Sequence, residues 1–225
     1  MQNGSTSRSL TGRVAMVTGA SRGLGAAVAI ELANRGVQII GIARSGGALQ
    51  EIDDRIRSSK GAMTIAEADI TDSGAVAGIF RSVQERWGKI DMLVHAAVYA
   101  APLSPAAHGD PGELGLSVQT NVLATANLIA MANTPLRESD FGVAVFFEDD
   151  RAGQKFFGAY GSTKAAQIAL ARSWQREARR IGPRIEIFRP RSMPTATRKR
   201  FFPGEDHSAL TRPNEEARRL VETVF

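Results

Sequence analysis

Thr18-Gly19-Ala20-Ser21-Arg22-Gly23-Leu24-Gly25 is the stretch that decides how this chain folds. An apolar run, Val14-Ala15-Met16-Val17, precedes it. A helical pattern, Ala26-Ala27-Val28-Ala29-Ile30-Glu31-Leu32-Ala33, follows it. A glycine-rich turn between a strand and a helix is the setting in which such a stretch holds a nucleotide phosphate. Without Cβ atoms, the backbone can come close to a pyrophosphate. The helix start adds unpaired N–H groups and the positive end of its dipole.

The rest of the chain repeats the alternation. Strands are expected at Val14–Thr18, 37–42, 62–67, Ile90–Val94, Phe141–Phe147 and Arg184–Phe188. Helices are expected over 23–35, 47–58, from about Asp72 to Trp87, over 113–133, at Gly158–Arg180 and at Asn214–Val224. Thr71 or Asp72 is placed to cap the third helix. Strand 37–42 does not alternate polar with apolar residues, which implies burial on both faces, as in a parallel sheet. Strand–helix alternation with right-handed crossovers gives an α/β fold: a doubly wound parallel sheet of six strands, ordered 3-2-1-4-5-6, with helices on both faces. Residues 98–112 and 190–212 read as loops, the latter with a short helical piece. Residues 1–10 are polar and read as a disordered tail, leaving 11–225 as one domain.

Composition sets limits on function. With 225 residues and 43% hydrophobic content, the chain can bury a sizeable core. It has no cysteine, hence no disulfide framework and no thiolate chemistry. The N-terminus lacks the apolar core of a signal peptide and no apolar run reads as a membrane span, so a cytoplasmic location is expected. Net charge is +5, and ten Lys or Arg fall between Arg172 and Arg200 against Glu177 and Glu186. That stretch reads as a solvated basic face, with a subunit contact or an anion or nucleic-acid site as alternatives. His95, His108 and His207 show no metal-ligand spacing. No metal is expected, and these residues read as structural or solvated. Trp87 and Trp174 read as packing residues, and Tyr99 as a possible cleft wall.

Tyr160 and Lys164 lie four residues apart, on one face of a helix. An unperturbed phenol titrates near about 10. A nearby ammonium stabilises phenolate and lowers that value, which suits Tyr160 to proton transfer with a carbonyl or alcohol.

The TGxxxGxG turn and the Tyr160–Lys164 pair together resemble the short-chain dehydrogenase/reductase family over about residues 10–224. The segments around Val94-His95-Ala96-Ala97 and Phe157–Lys164 are most similar to a bacterial subgroup of uncharacterised oxidoreductases. The resemblance implies a Rossmann-type NAD(P)-binding domain that reduces a carbonyl or oxidises an alcohol. It makes Tyr160 the proton donor, and makes Lys164 both a ribose ligand and the group that lowers the Tyr pKa. It makes Asn121 the support of a water linked to the lysine. It places Gly19, Ser21, Arg22, Gly23, Leu24, Gly25, Arg44, Asp69, Ile70, Ala96, Pro190 and Thr195 at the cofactor, with Asp69 at adenine. It also implies a small-molecule substrate, and a homodimer through the 113–133 and 158–180 helices, where Ala124, Ala126, Ala130, Ala165, Ala166 and Ala169 allow close approach.

Cofactor choice follows from charge. The position where an acidic residue would bond a ribose 2′-OH is about Ala43, with Arg44 next and Arg22 in the turn. Two cations without the acid favour a 2′-phosphate, hence NADP(H) over NAD.

Three departures oppose ordinary catalysis. The family's NNAG reads His95-Ala96-Ala97-Val98, so a valine side chain stands where the ribose needs room. The catalytic serine, thirteen residues before the tyrosine, is replaced by Phe147, followed by Glu148, Asp149 and Asp150. Losing one such donor costs about 10²–10³ in rate. An ionised carboxylate there repels developing negative charge, whereas a buried protonated one donates. Arg191 replaces the glycine of PGxVxT. These changes keep two further readings open: a non-catalytic NADP(H)-binding scaffold or sensor, and an anion or nucleic-acid binder.

Overall fold

A computed structural model describes residues 9–225. The expected tail falls outside the described residues up to residue 8. Leu10, at its end, is buried in the core. Six parallel strands pair in the order β3-β2-β1-β4-β5-β6. They are β1 (Val14–Thr18), β2 (Gln38–Ala43), β3 (Ala62–Glu67), β4 (Met92–His95), β5 (Val143–Phe147) and β6 (Arg184–Phe188). This is the sheet that the alternation of apolar runs implies.

Strand side chains point alternately to the two faces, and helices cover both. Val17, Ile39, Val94 and Val145 pack under α1 (Gly23–Asn34), α2 (Gly46–Ser58) and α8 (Pro213–Val224). Met16, Ile40, Leu93 and Phe146 pack under α3 (Ser73–Trp87), α5 (Ala124–Glu138) and α6 (Gly158–Glu177). Neither face of the central strands β1, β4 and β5 meets water, which is why they read as largely apolar runs, whereas the edge strands β3 and β6 are partly exposed. Burying each branched side chain contributes about 1.5–3 kcal/mol. Asp72 caps α3 by accepting the Ala75 N–H at 2.9 Å.

The helix expected over 113–133 runs instead from Pro111 to Glu138, in three parts. α4 (Pro111–Val118) passes into a π-helical turn, Gln119–Leu123, and then into α5. Such a turn carries one extra residue and gathers at functional positions; here it holds Asn121. Pro135 lies inside α5, and the helix continues past it to Glu138 with Leu136 fully buried. By length and composition this 28-residue run is apolar enough to cross a membrane, contrary to the sequence reading. In the structure it lies along the sheet, burying Asn121, Thr125, Leu128 and Leu136. α6 ends at Glu177, short of the expected Arg180, and turns lead to Gly182.

Candidate active site

The first turn is tied to the exit of β4. Gly19 has φ +68°, and a Cβ there would stand 2.8 Å from the Ala97 nitrogen. No side chain caps α1, whose N-cap is Arg22. The first N–H groups of a helix have no partner within it. Those of Gly23, Leu24 and Gly25 therefore face the cleft as a ready anion site.

Every residue expected at a cofactor lines one cleft of about 590 Å³. The turn supplies Gly19 and Ser21 through Gly25. Arg44 follows β2, Asp69 and Ile70 follow β3, and Ala96 follows β4. Tyr160 and Lys164 enter from α6, and Pro190 and Thr195 close the far side. Arg44 is exposed, 3.8 Å from Asp69 Oδ2. The other oxygen of Asp69 accepts from the Thr71 N–H and hydroxyl, at 2.9 and 2.8 Å. An uncapped helix start beside the Arg22 and Arg44 guanidinium groups suits a phosphate-bearing anion.

At the other end Tyr160 is 4% exposed. Its hydroxyl donates to Asp149 Oδ2 at 2.9 Å, while Asp149 Oδ1 lies 3.3 Å from Arg151 Nε. Gly161 permits this approach, because a Cβ there would stand 2.4 Å from the Arg151 carbonyl oxygen. Burial first, then the Asp149 carboxylate, push the Tyr160 hydroxyl well above its ordinary pKa. This corrects the expected lowering by Lys164: the phenol holds its proton tightly.

Lys164 is buried, and its ammonium donates to the Phe147 carbonyl at 2.7 Å and to Gln167 Oε1 at 2.5 Å. Burial lowers its pKa to about 8, against the pull of Asp149 and Glu148. Asn121 does not line the cleft. Its amide clamps the Tyr99 backbone, accepting from N–H at 2.8 Å and donating to the carbonyl at 2.9 Å. It also donates to Thr163 Oγ1 at 3.0 Å. Lys164 reaches the Asn121 carbonyl through side chains. Gln167 Nε2 donates to Thr125 Oγ1 at 2.9 Å, and Thr125 donates to the Asn121 carbonyl at 2.9 Å.

That last bond assigns the tautomer of His95. Thr125 has spent its proton, so its oxygen accepts, and His95 Nε2 donates to it at 2.8 Å. His95 Nδ1 then accepts from Thr18 Oγ1 at 2.7 Å, and Thr18 accepts from the Ala97 N–H at 3.2 Å. His95 is structural and neutral: burial, then the charge of Lys164, lower it to about 3.

The departures have specific places. Phe147 turns its ring into the core, edge-on to Phe188, 6.3 Å between centroids. Glu148 pairs with Arg172 at 2.6 Å, and Asp150 pairs with Arg189. The side chain facing Tyr160 is therefore Asp149, two residues after the position counted from the sequence. Val98 lines the cleft and packs against the apolar cluster of Phe157, Tyr160 and Phe201. Arg191 gives its N–H to Glu216 Oε1 at 2.8 Å. Tyr99 lines the cleft and donates its hydroxyl to Glu113 at 2.7 Å. Trp174 packs edge-on against Phe146, 6.2 Å between centroids. The basic stretch is spread over α6, β6 and α7 (Ala196–Phe201), with Arg172, Arg184, Arg189 and Arg198 each ion-paired. Sequence reasoning missed Thr18, Thr125, Gln167, Phe157 and Phe201. Gln167 was signalled by its polarity three residues past Lys164, on a helix face that packs inward.

The sequence profile of the short chain dehydrogenase family matches residues 13–206. The chain belongs to the short-chain dehydrogenase/reductase family. This oxidoreductase is 28% identical to an uncharacterised oxidoreductase of Staphylococcus saprophyticus, over 80% of this chain and 78% of that one. It is 30% identical to glycine betaine reductase of Emericella nidulans over 80% of its own length, but spans only 14% of that protein. A solved short-chain dehydrogenase of Escherichia coli, complexed with NADPH, superposes with a TM-score of 0.84. It is 26% identical and covers 92% of this chain and 88% of that one.

Proposed function

We propose that residues 11–225 form an NADP(H)-dependent reductase domain acting on the carbonyl of a small molecule, with Tyr160 as proton donor. One observation carries this: Tyr160 and Lys164 open into the same cleft as the uncapped start of α1. The NADPH complex of the similar Escherichia coli protein supports the cofactor. The N–H groups of Gly23–Gly25, with Ser21, would hold the pyrophosphate. Arg22 and Arg44 would hold the 2′-phosphate, Asp69 and Ile70 the adenine, and Ala96, Pro190 and Thr195 the nicotinamide half. Bound NADPH supplies the hydride.

Tyr160 gives its proton to the substrate oxygen as negative charge develops there. Lys164, fixed by Phe147 and Gln167, would hold the ribose, and Arg151 is the cation that favours the phenolate left behind. Asp149 opposes that phenolate. The pair therefore keeps Tyr160 protonated between turnovers, which favours reduction over oxidation.

One observation favours a second reading, cofactor binding without turnover: Tyr160 is covered, and its hydroxyl is committed to Asp149. NADPH oxidation with a panel of ketones and aldehydes separates the two. Turnover that Tyr160→Phe abolishes supports the reductase. NADPH binding with no turnover across the panel supports the sensor.

A homodimer through the α5 and α6 faces accompanies this reading. Ala130, Ala165 and Ala169 are exposed there, Leu116 of α4 and Leu123 of the π-helical turn are exposed beside them, and Ala124 faces the core.

A further inference from the structure

We propose that the substrate end of the cleft is built for a planar aromatic ring, and that Phe201 holds the seat of that ring in the free protein. The inference rests on the reductase reading of the cleft and names its substrate class.

Tyr160 has a ring for a neighbour where substrate must come. The Phe201 centroid lies 4.8 Å from that of Tyr160, with 58° between the planes. It lies 5.0 Å from that of Phe157, at 71°. Val98 and Leu103 pack against the same cluster. Arg151 lies over the Phe157 ring at 5.4 Å.

Wall and occupant differ in how they are held. Phe157 is the residue from which α6 starts: its carbonyl accepts the Gly161 N–H at 2.7 Å, and it bridges to Ser104. Phe201 is the last residue of the six-residue α7, carried on the loop that crosses the cleft. Moving one short helix removes Phe201; removing Phe157 would unwind the start of α6. Once Phe201 leaves, its place is bounded by Phe157 and Tyr160, both inclined to it.

That geometry separates ligand classes. Inclined rings present edges to a face, an arrangement that rewards a ring with its own quadrupole. A saturated ring of equal size gains the same apolar burial and none of that extra. An aryl ketone also carries its oxygen at the rim of a flat body, where the hydroxyl of Tyr160 can reach it.

The test is a calorimetric titration of protein saturated with NADP⁺, which cannot reduce a ketone. The ligands are α-tetralone, a bicyclic aryl ketone, and its saturated counterpart α-decalone. α-Tetralone is expected to bind about tenfold more tightly, the value of one good ring–ring contact. Phe201→Ala should tighten α-tetralone several-fold by removing the competing ring. Phe157→Leu should reduce the preference, leaving only the Tyr160 ring to supply it. Equal or tighter binding of α-decalone, weaker α-tetralone binding in Phe201→Ala, or no α-tetralone binding in either protein overturns the proposal. NADP⁺ binding is measured first in the same cell. Its failure counts against the reductase reading alone, and the ketones are then compared on the protein without cofactor.

Discussion

The hydroxyl of Tyr160 donates to Asp149 Oδ2 at 2.9 Å, so the proposed acid of the reaction is held by an acceptor rather than by a second donor. A carboxylate beside developing negative charge is unfavourable, and a hydroxyl there is worth about 10²–10³ in rate. Asp149→Ser should therefore raise ketone turnover by about tenfold or more. It should also lower the pKa of Tyr160, because it removes the charge that helps raise it. Initial rates from NADPH absorbance across pH test both. Phe147→Ser and Glu148→Ser should bring no gain, because neither side chain faces Tyr160.

Tyr160→Phe should abolish reduction and leave NADPH affinity within a few fold. The ring keeps its packing against Phe201 and Phe157, and only the hydroxyl is lost. Unchanged turnover would remove Tyr160 from the mechanism.

NADPH should bind more tightly than NADH. Arg22→Ala with Arg44→Ala should erase the difference, since β2 ends on Ala43, followed by Arg44, where an acid would hold a ribose 2′-OH. Fluorescence titration of both cofactors is sufficient, and a wild-type preference for NADH would refute the charge argument.

Gln167 should act through Lys164. Burial lowers the ammonium to about 8, so NADPH affinity should fall as pH rises through that value. An accepted hydrogen bond favours the charged form. Gln167→Leu leaves Lys164 with one acceptor fewer and should move the fall to lower pH. Loss of packing alone would weaken binding at every pH without moving the midpoint.

His95 should make the fold acid-sensitive. It is buried and neutral, lowered to about 3 from the 6.5 of an exposed imidazole. Between those values the unfolded chain binds a proton that the folded protein does not, so stability rises with pH through this window. On acidification from about 6.5 to about 3, this group removes on the order of 4 kcal/mol. Urea melts near neutrality and near about pH 4 should show a smaller difference in His95→Asn than in wild type.

What the sequence determined by itself was whatever local pattern dictates. Apolar runs without alternation required a sheet covered on both faces. The glycine spacing after β1 required a close turn, and the Tyr160–Lys164 spacing required one helix face. These are properties of neighbouring residues, and periods of two and 3.6 register them directly. The tertiary structure decided which side chain meets the hydroxyl of Tyr160. Counting back thirteen residues reaches Phe147, but the length and path of the loop after β5 put Asp149 there. Only folding could connect the Lys164–Gln167 pair of α6 to Thr125, His95 and Thr18, which come from three other elements. It also reversed the direction of the Tyr160 pKa shift. A cation four residues away is visible in sequence, whereas burial under Phe201 and contact with Asp149 depend on where distant segments pack, and at this site their effect on the phenol is the larger.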